Sequence, residues 1–320
     1  MLLNIIFIII GFLVLIKSAQ WLVAGSANLA NRLGIPALII GLTIVAFGTS
    51  APELVVNVIS SVKGANEIVF GNIVGSNIAN ILLIMGLGAL MYPLLIKSQT
   101  LFKEIPLMIL GGVALIIVAS DRFFKSADNI ISLNDGIILL LFFTVFVYYI
   151  FITALQERHV VEKEFEKQIK DQNPLLSMAL IIVACAGLFI GGQLVVKNAI
   201  DLATLLGVSQ KLIGLTIVAI GTSLPELTTV IIATLKRQAD IAIGGIVGSN
   251  IFNSLFIIGI SSIIAPIKLD IPINIDFTVM IIAFLLLFLF SLTKRKIERW
   301  EGLVLLVIYL SYMLFLIFGE

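Results

Sequence analysis

The chain has 320 residues, of which 60% are hydrophobic and 12% are charged, and its formal net charge is +1. This composition is typical of a polytopic membrane protein and excludes a soluble globular core. The near-neutral charge, without a basic domain or stripe, argues against nucleic acid as a partner. A single cysteine, Cys185, and a single histidine, His159, exclude an internal disulfide and a cysteine-based zinc or iron-sulfur site.

Ten segments are apolar and long enough to cross a hydrocarbon core about 30 Å thick, which takes about 20 helical residues. They are residues 2–31, 36–62, 67–92, 102–120, 134–154, 175–205, 210–235, 240–265, 272–293 and 300–318. The first segment lacks a basic start and a small-residue cleavage signature, so we interpret it as a retained helix and not as a signal peptide. The predicted fold is therefore an all-α polytopic membrane protein with ten transmembrane helices.

A charged stretch divides these spans into five and five. Residues 156–172 contain four basic and five acidic side chains, which predicts a solvated, partly helical linker. The predicted organisation is a first five-helix repeat over 1–154, a charged cytoplasmic linker over 155–174, and a second five-helix repeat over 175–320.

The second span contains a sequence that returns in the seventh span. GLTIVAFGTSAPE at 41–53 and GLTIVAIGTSLPE at 214–226 are identical at eleven of thirteen positions. Gly48 and Pro52 remove regular backbone hydrogen bonds, so this helix, like its repeat, is predicted to break and to turn carbonyl oxygens toward a cavity. Because acids inside membrane segments are usually functional, Glu53 and Glu226 are the leading site candidates.

The third and eighth spans share a second motif at the same offset of 173 residues, GNIVGSNIAN at 71–80 and GGIVGSNIFN at 244–253. Its glycines predict close backbone approach between helices. Ser76 with Asn80, and Ser249 with Asn253, are four residues apart, so each pair presents oxygen atoms on one helical face. A packing role alone is the alternative for the two serines.

The glycines concerned are Gly71, Gly75, Gly244, Gly245 and Gly248. Two further amides of the motif, Asn77 and Asn250, are predicted to hydrogen-bond between helices without contacting an ion.

The basic residues of the loops predict the orientation, because Lys and Arg are retained on the cytoplasmic side. Fourteen of the twenty Lys and Arg residues lie on the side of the linker and six on the other. The linker is therefore predicted to be cytoplasmic and both termini to face outward. Since five spans is an odd number, the repeats cross the membrane in opposite directions, as in many secondary transporters, and the broken helices two and seven meet near the midplane.

The repeated motifs together supply two carboxylates, hydroxyls, amide oxygens and backbone carbonyls, without thiolate or imidazole. Such oxygen-only sites suit hard cations, above all Ca²⁺ and Na⁺. Two carboxylates neutralise one Ca²⁺ and leave two buried negative charges when it departs, a costly state that Na⁺ or protons relieve. This charge balance favours an exchanger over a simple pore.

On these residues the sequence resembles the calcium/cation antiporter superfamily, specifically its prokaryotic sodium/calcium exchanger group. The paired GTS-x-PE and GSN-x-x-N segments match the two signature repeats of that group. The resemblance implies a transporter and not an enzyme, with no cofactor. It implies ion ligands at Ala46 (through its carbonyl), Thr49, Ser50, Glu53, Ser76, Asn80, Ala219 (through its carbonyl), Thr222, Ser223, Glu226, Ser249 and Asn253.

Two features of the motifs bear on the counter-ion. Some relatives, including potassium-dependent exchangers, carry Asp at the position of Asn253, and its neutral amide here weakens the case for potassium co-transport. Proton-coupled relatives usually show a GN-x-x-E motif, whereas this chain has GTS-x-PE twice, which favours Na⁺.

The sequence thus predicts an antiporter that exchanges Ca²⁺ for Na⁺ by alternating access, with the long first and sixth helices as the moving pair. It is expected in the plasma (inner) membrane of a prokaryote, with lipid and the two ions as its only partners. The alternatives are a proton/Ca²⁺ exchanger, a Ca²⁺-selective channel, and an intramembrane enzyme that uses Glu53 and Glu226 as paired acids. The enzyme is disfavoured because no nucleophile, histidine or metal-binding pair lies near these acids in the sequence.

Overall fold

The computed structural model describes residues 1–120, 129–165, 174–207, 221–269 and 274–318, and nearly all of them are helical. The first half contains α1 (Leu2–Leu33), α2 (Ala37–Ile40), α3 (Ala46–Thr49), α4 (Ala51–Val62), α5 (Asn66–Ile78), α6 (Gly86–Met91), β1 (Leu94–Leu95), α7 (Ile105–Val118), β2 (Ile130–Ile131) and α8 (Leu133–Phe165). The second half contains α9 (Pro174–Leu205), α10 (Leu224–Leu235), α11 (Ala239–Ile251), α12 (Ile258–Ile264), β3 (Ile267–Lys268), α13 (Asn274–Leu292), β4 (Lys296–Ile297) and α14 (Arg299–Phe318).

Membrane-length helices dominate the described residues, as predicted. Eight of them are long and apolar enough to cross a bilayer, and the bent pair Ala37–Thr49 and Ala51–Val62 makes a ninth. These helices match nine of the ten predicted spans. The predicted span 210–235 lies partly outside the described residues, where α10 is its second half. Large apolar side chains such as Leu13 and Ile182 point outward, which suits a lipid environment and not water.

The two halves repeat one another with inverted topology. The helices α4 and α10, and likewise α5 and α11, begin 173 residues apart, which is the offset of the sequence motifs. Within the pair α1 and α9, Gly25 lies against Ile181 while Gly11 lies against Val195. Residues later in α1 thus contact residues earlier in α9, so the two helices are antiparallel. Equivalent helices that pack antiparallel place the two repeats in opposite directions across the membrane, as the sequence predicted.

Two short antiparallel ladders also link the repeats. Strand β1 of the first repeat pairs with β4 of the second, and β2 pairs with β3. We use the ladders to name the two ends of the molecule. The basic end comprises residues 91–97, 236–240 and 294–299, and the terminal end comprises residues 62–66, 129–132 and 265–269 with the starts of α1 and α13 and the end of α14.

Ion pairs and hydrogen bonds connect the segments of the basic end. The Lys97 Nζ lies 2.7 Å from a carboxylate oxygen of Asp240, and Arg299 donates to the Met91 carbonyl at 3.4 Å. At the same end, hydrogen bonds from Lys296, Lys294 and Trp300 lower the pKa of the Glu298 carboxyl to about 2.

The most buried helices are the two that carry the second motif. In the spans Asn66–Met91 and Ala239–Ile264, 78% and 94% of the most apolar 18-residue stretch is buried inside the protein. In the other six long spans the corresponding share is 22–39%. Both widen into π-helix at equivalent places, Ala79–Met85 and Phe252–Ile257. Further π-helical turns lie at Gly41–Val45 and Thr100–Glu104. Because π-helical turns are frequent at functional sites, the two central ones point to the region of Asn80 and Asn253.

Candidate cation site

The site is built on a break in the second span. The chain bends by 46° between α3 and α4, where Ser50 has φ −83° and ψ 6°. Ser223 has nearly the same backbone, φ −86° and ψ 7°, immediately before α10. In each copy a proline and then a glutamate follow in the first helical turn, where the helix N-terminus favours negative charge. The predicted break is confirmed in helix two, and the described part of helix seven has the same turn.

Both glutamates are buried, with exposed fractions of 1% for Glu53 and 3% for Glu226. The Ser50 hydroxyl of the first repeat donates to Glu226 Oε1 of the second at 3.0 Å. Glu53 lies within electrostatic reach of Glu226 and beside the hydroxyls of Ser76 and Thr222. The two broken helices, far apart in sequence, therefore meet at one place and bring their acids together.

Several oxygen atoms in this region are buried without a hydrogen-bond donor. They are Glu53 Oε1 and Oε2, Glu226 Oε2, Asn80 Oδ1, Asn253 Oδ1 and Ser249 Oγ. Burying an acceptor without a partner costs about 1–3 kcal/mol and more for a charged group, so such a set requires an explanation. Carboxylate, amide and hydroxyl oxygens without donors are the ligands that hard cations use, and a cation bound here would satisfy those that coordinate it.

Among the described residues, no group of three or more His, Cys, Asp or Glu side chains is placed to hold a metal ion. A cation at this site would therefore depend on two carboxylates together with neutral oxygens. Few charges favour exchange over permanent binding, because a site with fewer negative groups releases its cation more readily.

Contacts link many of the predicted ligands. Ser223 donates to Ser76 at 3.5 Å, which is a long hydrogen bond between the repeats. Thr49 lies near the Glu226 carboxylate, and its hydroxyl donates to the carbonyl of Val45 at 3.1 Å. Asn80 and Asn253 follow the two serines by one turn, at the start of the π-helical segments.

Of the two predicted carbonyl ligands, the structure describes Ala46 but not Ala219. The Ala46 carbonyl still accepts the backbone N–H of Ser50 at 3.0 Å and the Thr49 hydroxyl at 3.3 Å, so it is not free in this conformation. The break at Ser50 lies within the predicted interval between Ala46 and Glu53, and the role of the Ala46 carbonyl as an ion ligand stays a prediction. Pro52 has no N–H for the Gly48 carbonyl, which is the one that loses its helical donor. Ala219 lies outside the described residues, and its role stays a prediction.

One polar pair near the site has no counterpart in the second repeat. Asn72 donates to Asn57 Oδ1 at 2.7 Å, and Asn57 donates to the Val69 carbonyl at 3.1 Å, which ties α4 to α5. The equivalent positions are Val230 and Gly245. The replacement of both asparagines in the second repeat is the sequence signal that they form a pair.

A cavity of about 360 Å³ connects the site to the terminal end of the molecule. Its lining includes Gly75, Ser76 and Thr222 near the glutamates, and Asp276 and Leu316 toward the terminal end. A second cavity of about 120 Å³ lies between the prolines of the two breaks. On the other side, beside Thr49 and Glu226, only about 10 Å³ is free. Among the described residues, the larger cavity thus leads from the site to the terminal end, and a much smaller one lies toward the basic end.

The glycines of the second motif explain this asymmetry. A Cβ at Gly244 or Gly248 would lie 2.7 Å from the Leu38 carbonyl or 2.6 Å from the Leu42 carbonyl, so the predicted close approach is present in α11. At Gly71 and Gly75, no atom of the described residues lies within 4 Å of an added Cβ. Residues 211 and 215, which correspond to Leu38 and Leu42 at the offset of 173, lie outside the described residues, so close approach at Gly71 and Gly75 stays a prediction.

Comparison with known proteins agrees with this architecture. The family model described as sodium/calcium exchanger protein matches residues 3–152 and 176–318. The chain is 38% identical to the candidate antiporter CaxA of Alkalimonas amylolytica, with 100% of both chains covered. It is 31% identical to the sodium/calcium exchanger MaX1 of Methanosarcina acetivorans, with 98% of this chain and 99% of that one covered.

Among solved structures, the sodium-calcium exchanger NCX_Mj soaked with 10 mM Na⁺ and zero Ca²⁺ superposes with a TM-score of 0.81. The two chains are 29% identical, and 98% of each is covered. The likeness spans both repeats, including the helices that carry the two glutamates. By its motifs, its fold and these matches, the chain belongs to the sodium/calcium exchanger protein family, a family of integral membrane transporters.

Proposed function

We propose that the protein exchanges Ca²⁺ for Na⁺ across a prokaryotic plasma membrane by alternating access. The observation that carries the proposal is the meeting of Glu53 and Glu226 from opposite repeats, surrounded by buried oxygens that lack donors. A site with two carboxylates balances the charge of one Ca²⁺, and its emptying leaves two buried charges that a replacement cation must neutralise. Coupled exchange follows from this requirement, whereas a channel has no need of it.

Sodium is the counter-ion that the ligand chemistry supports best. The neutral oxygens of Ser76, Ser249, Asn80 and Asn253 add coordination without adding charge, which suits a monovalent hard cation. A proton would need only the carboxylates. Relatives called sodium/calcium exchangers, such as MaX1, share the architecture over almost their full length.

The orientation is also part of the proposal. Seven Lys and Arg residues lie in the segments of the basic end and two in those of the terminal end. By the distribution of positive charge, the basic end and the linker over 155–174 face the cytoplasm, and the termini face outward. The cavity then opens to the outside, and this conformation is outward-facing.

Alternating access requires the two sides of the site to exchange roles. The helices α1 and α9, each of 32 residues and about 48 Å long, pack against one another and contact the segments around both breaks. We propose that this pair slides across the central helices α5 and α11 and opens the site to either side in turn.

The test is tracer ⁴⁵Ca²⁺ uptake into proteoliposomes loaded with Na⁺ and diluted into Na⁺-free buffer at matched pH. Uptake should require internal Na⁺ and should be lost in Glu53→Gln. Uptake that ignores Na⁺ but follows an imposed pH gradient would replace the proposal with proton coupling. Uptake without any counter-ion gradient, carried as current, would indicate a channel.

A further inference from the structure

Behind the site, four buried asparagines form two hydrogen-bonded pairs that cross between the repeats. Asn80 donates its amide to Asn250 Oδ1 at 3.2 Å, and Asn253 donates its amide to Asn77 Oδ1 at 3.2 Å. The pairs are equivalent under the inverted repeat, because Asn80 corresponds to Asn253 and Asn77 to Asn250. All four side chains are at most 1% exposed.

Each pair ends on a methionine. The Asn250 amide donates to Met108 Sδ at 3.6 Å, and the Asn77 amide donates to Met280 Sδ at 3.7 Å. These methionines are fully buried and lie on corresponding helices, α7 and α13, one position away from the offset of 173 residues that relates the motifs. A thioether sulfur accepts hydrogen bonds but never donates them. The NH₂ group of the neighbouring asparagine must therefore face the sulfur.

The sulfur acceptor fixes the orientation of both side-chain amides in each pair of asparagines. With its NH₂ on the sulfur, Asn250 presents its oxygen to Asn80, whose NH₂ must turn toward it. The Asn80 oxygen is then left pointing away from the pair, and Asn253 is held in the same way by Asn77. These two oxygens are among the buried atoms that have no hydrogen-bond donor.

We infer that Asn77 and Asn250 are positioning residues that hold the amide oxygens of Asn253 and Asn80 toward the transported cation. An asparagine side chain that is free to flip offers a cation its NH₂ in half of its orientations. Fixing the orientation of the amide removes the one in which its NH₂ group repels the cation, and it adds no charge to the site. The inference rests on the proposed function only in requiring that a cation binds at this site.

We call each pair of asparagines with its methionine an amide relay: the Asn250 relay comprises Asn80, Asn250 and Met108, and the Asn77 relay comprises Asn253, Asn77 and Met280. The two relays differ in one respect. Asn77 also donates to the Ser254 hydroxyl at 2.8 Å, whereas the residue equivalent to Ser254 is Ile81. Met108 is therefore the only acceptor found for the Asn250 amide among the described residues, while Asn77 has two. Loss of the sulfur should matter more in the Asn250 relay, and Met108→Leu should weaken binding more than Met280→Leu.

Aspartate at the ligand position provides a test that a packing role does not satisfy. A carboxylate has an oxygen on both sides, so it needs no orienting partner. In the protein with its native Asn253, Asn77→Leu should weaken Ca²⁺ affinity about tenfold. This is the lower end of the loss in affinity that follows when a group that orients a metal ligand is removed. In the Asn253→Asp background, the same Asn77→Leu change should alter affinity less than twofold.

The measurement is equilibrium ⁴⁵Ca²⁺ binding to the four purified full-length variants, beside the Na⁺-driven uptake KM and maximal rate. The KM should follow the binding constant while the maximal rate changes little. An equal loss of affinity in both backgrounds, or none in either, overturns the inference. The mirror set Asn250→Leu with Asn80→Asp decides the matter if Asn77→Leu does not fold, as judged by thermal unfolding.

Failure of the proposed function would look different. If the wild type binds Ca²⁺ or ²²Na⁺ but shows no Na⁺-driven Ca²⁺ uptake, the exchange proposal falls. The amide relay is still tested by the binding constants of the same variants.

Discussion

The helices α5 and α11 carry almost the same ten-residue motif and lie in opposite surroundings. Gly244 and Gly248 of α11 are covered by the backbone of Leu38 and Leu42, closer than a side chain would permit. Gly71 and Gly75 of α5 border an open cavity of about 360 Å³. Nearly the same local sequence thus packs against a neighbouring backbone in α11 and borders a cavity in α5, among the described residues.

If the proposed alternating access holds, this difference belongs to the conformation and not to the motif. If both motifs are built to be covered, only one is covered at a time, and the second conformation would cover Gly71 and Gly75 and release Gly244 and Gly248. An inverted repeat supplies these two states from one architecture, since exchanging the conformations of the halves reverses the direction of opening.

The largest effect should come from removing either acid, which tests whether the halves are chemically equal despite their unequal surroundings. Glu53→Gln and Glu226→Gln should each lower Na⁺-driven Ca²⁺ uptake more than about 100-fold, because either change leaves a single carboxylate against a divalent ion in a buried site. Tracer uptake measures this, with the exposed Glu67→Gln as the control. Wild-type uptake by Glu226→Gln would show that the two acids are not equivalent.

Adding a methyl group to one glycine or the other should separate the open and closed sides. A Cβ at Gly248 would lie 2.6 Å from the Leu42 carbonyl, so Gly248→Ala disfavours this conformation, whereas Gly75→Ala has room in it. With Val56→Cys as a reporter in the cavity and Cys185→Ser as background, an external impermeant thiol reagent should react about tenfold more slowly in Gly248→Ala. In Gly75→Ala the reaction should be unchanged or faster, because an added Cβ meets no atom of the described residues. The same change in both variants would contradict the two-state interpretation.

The serines at the two breaks should differ by a smaller factor. Ser50 donates to the Glu226 carboxylate at 3.0 Å, whereas Ser223 reaches only the Ser76 hydroxyl at 3.5 Å. Hydrogen bonds to charged groups are worth about 1.5–3 kcal/mol and neutral ones about half of that. Taking the lower end of these ranges, Ser50→Ala should raise the external KM for Ca²⁺ about tenfold and Ser223→Ala about threefold. Equal KM values in the two variants would mean that the serines are interchangeable.

The smallest effect should be found at the mouth of the cavity. Asp276 is the acidic residue in the lining of the open side, and it accepts a hydrogen bond from Tyr312 at 2.7 Å. A negative side chain here attracts cations from solution. Asp276→Asn should raise the external KM for Ca²⁺ about twofold at low ionic strength and not at high salt, where charges are screened. Asp240→Asn at the closed basic end is the control and should leave the external KM unchanged.

Much of the fold was predictable because the membrane imposes strong constraints. Spans were read from length and hydropathy, the inversion from an odd number of spans per repeat, and the break in helix two from Gly48 and Pro52. The acids of the site followed from their position inside apolar helices. Which carbonyl loses its helical donor was harder to predict, since this depends on local backbone angles that composition does not fix, and the Ala46 carbonyl keeps its donor.

The sequence by itself determined the two repeats, their opposite directions and the chemical type of the site, since these depend on local pattern and on the cost of polar groups in lipid. Only the tertiary structure decided which side of the site is open, which oxygens lack donors, and how Asn77 and Asn250 pair with the ligands of the opposite repeat. Those features arise from contacts between residues about 170 positions apart. Two halves with nearly the same motifs pack differently, and packing is a property of the whole assembly of helices.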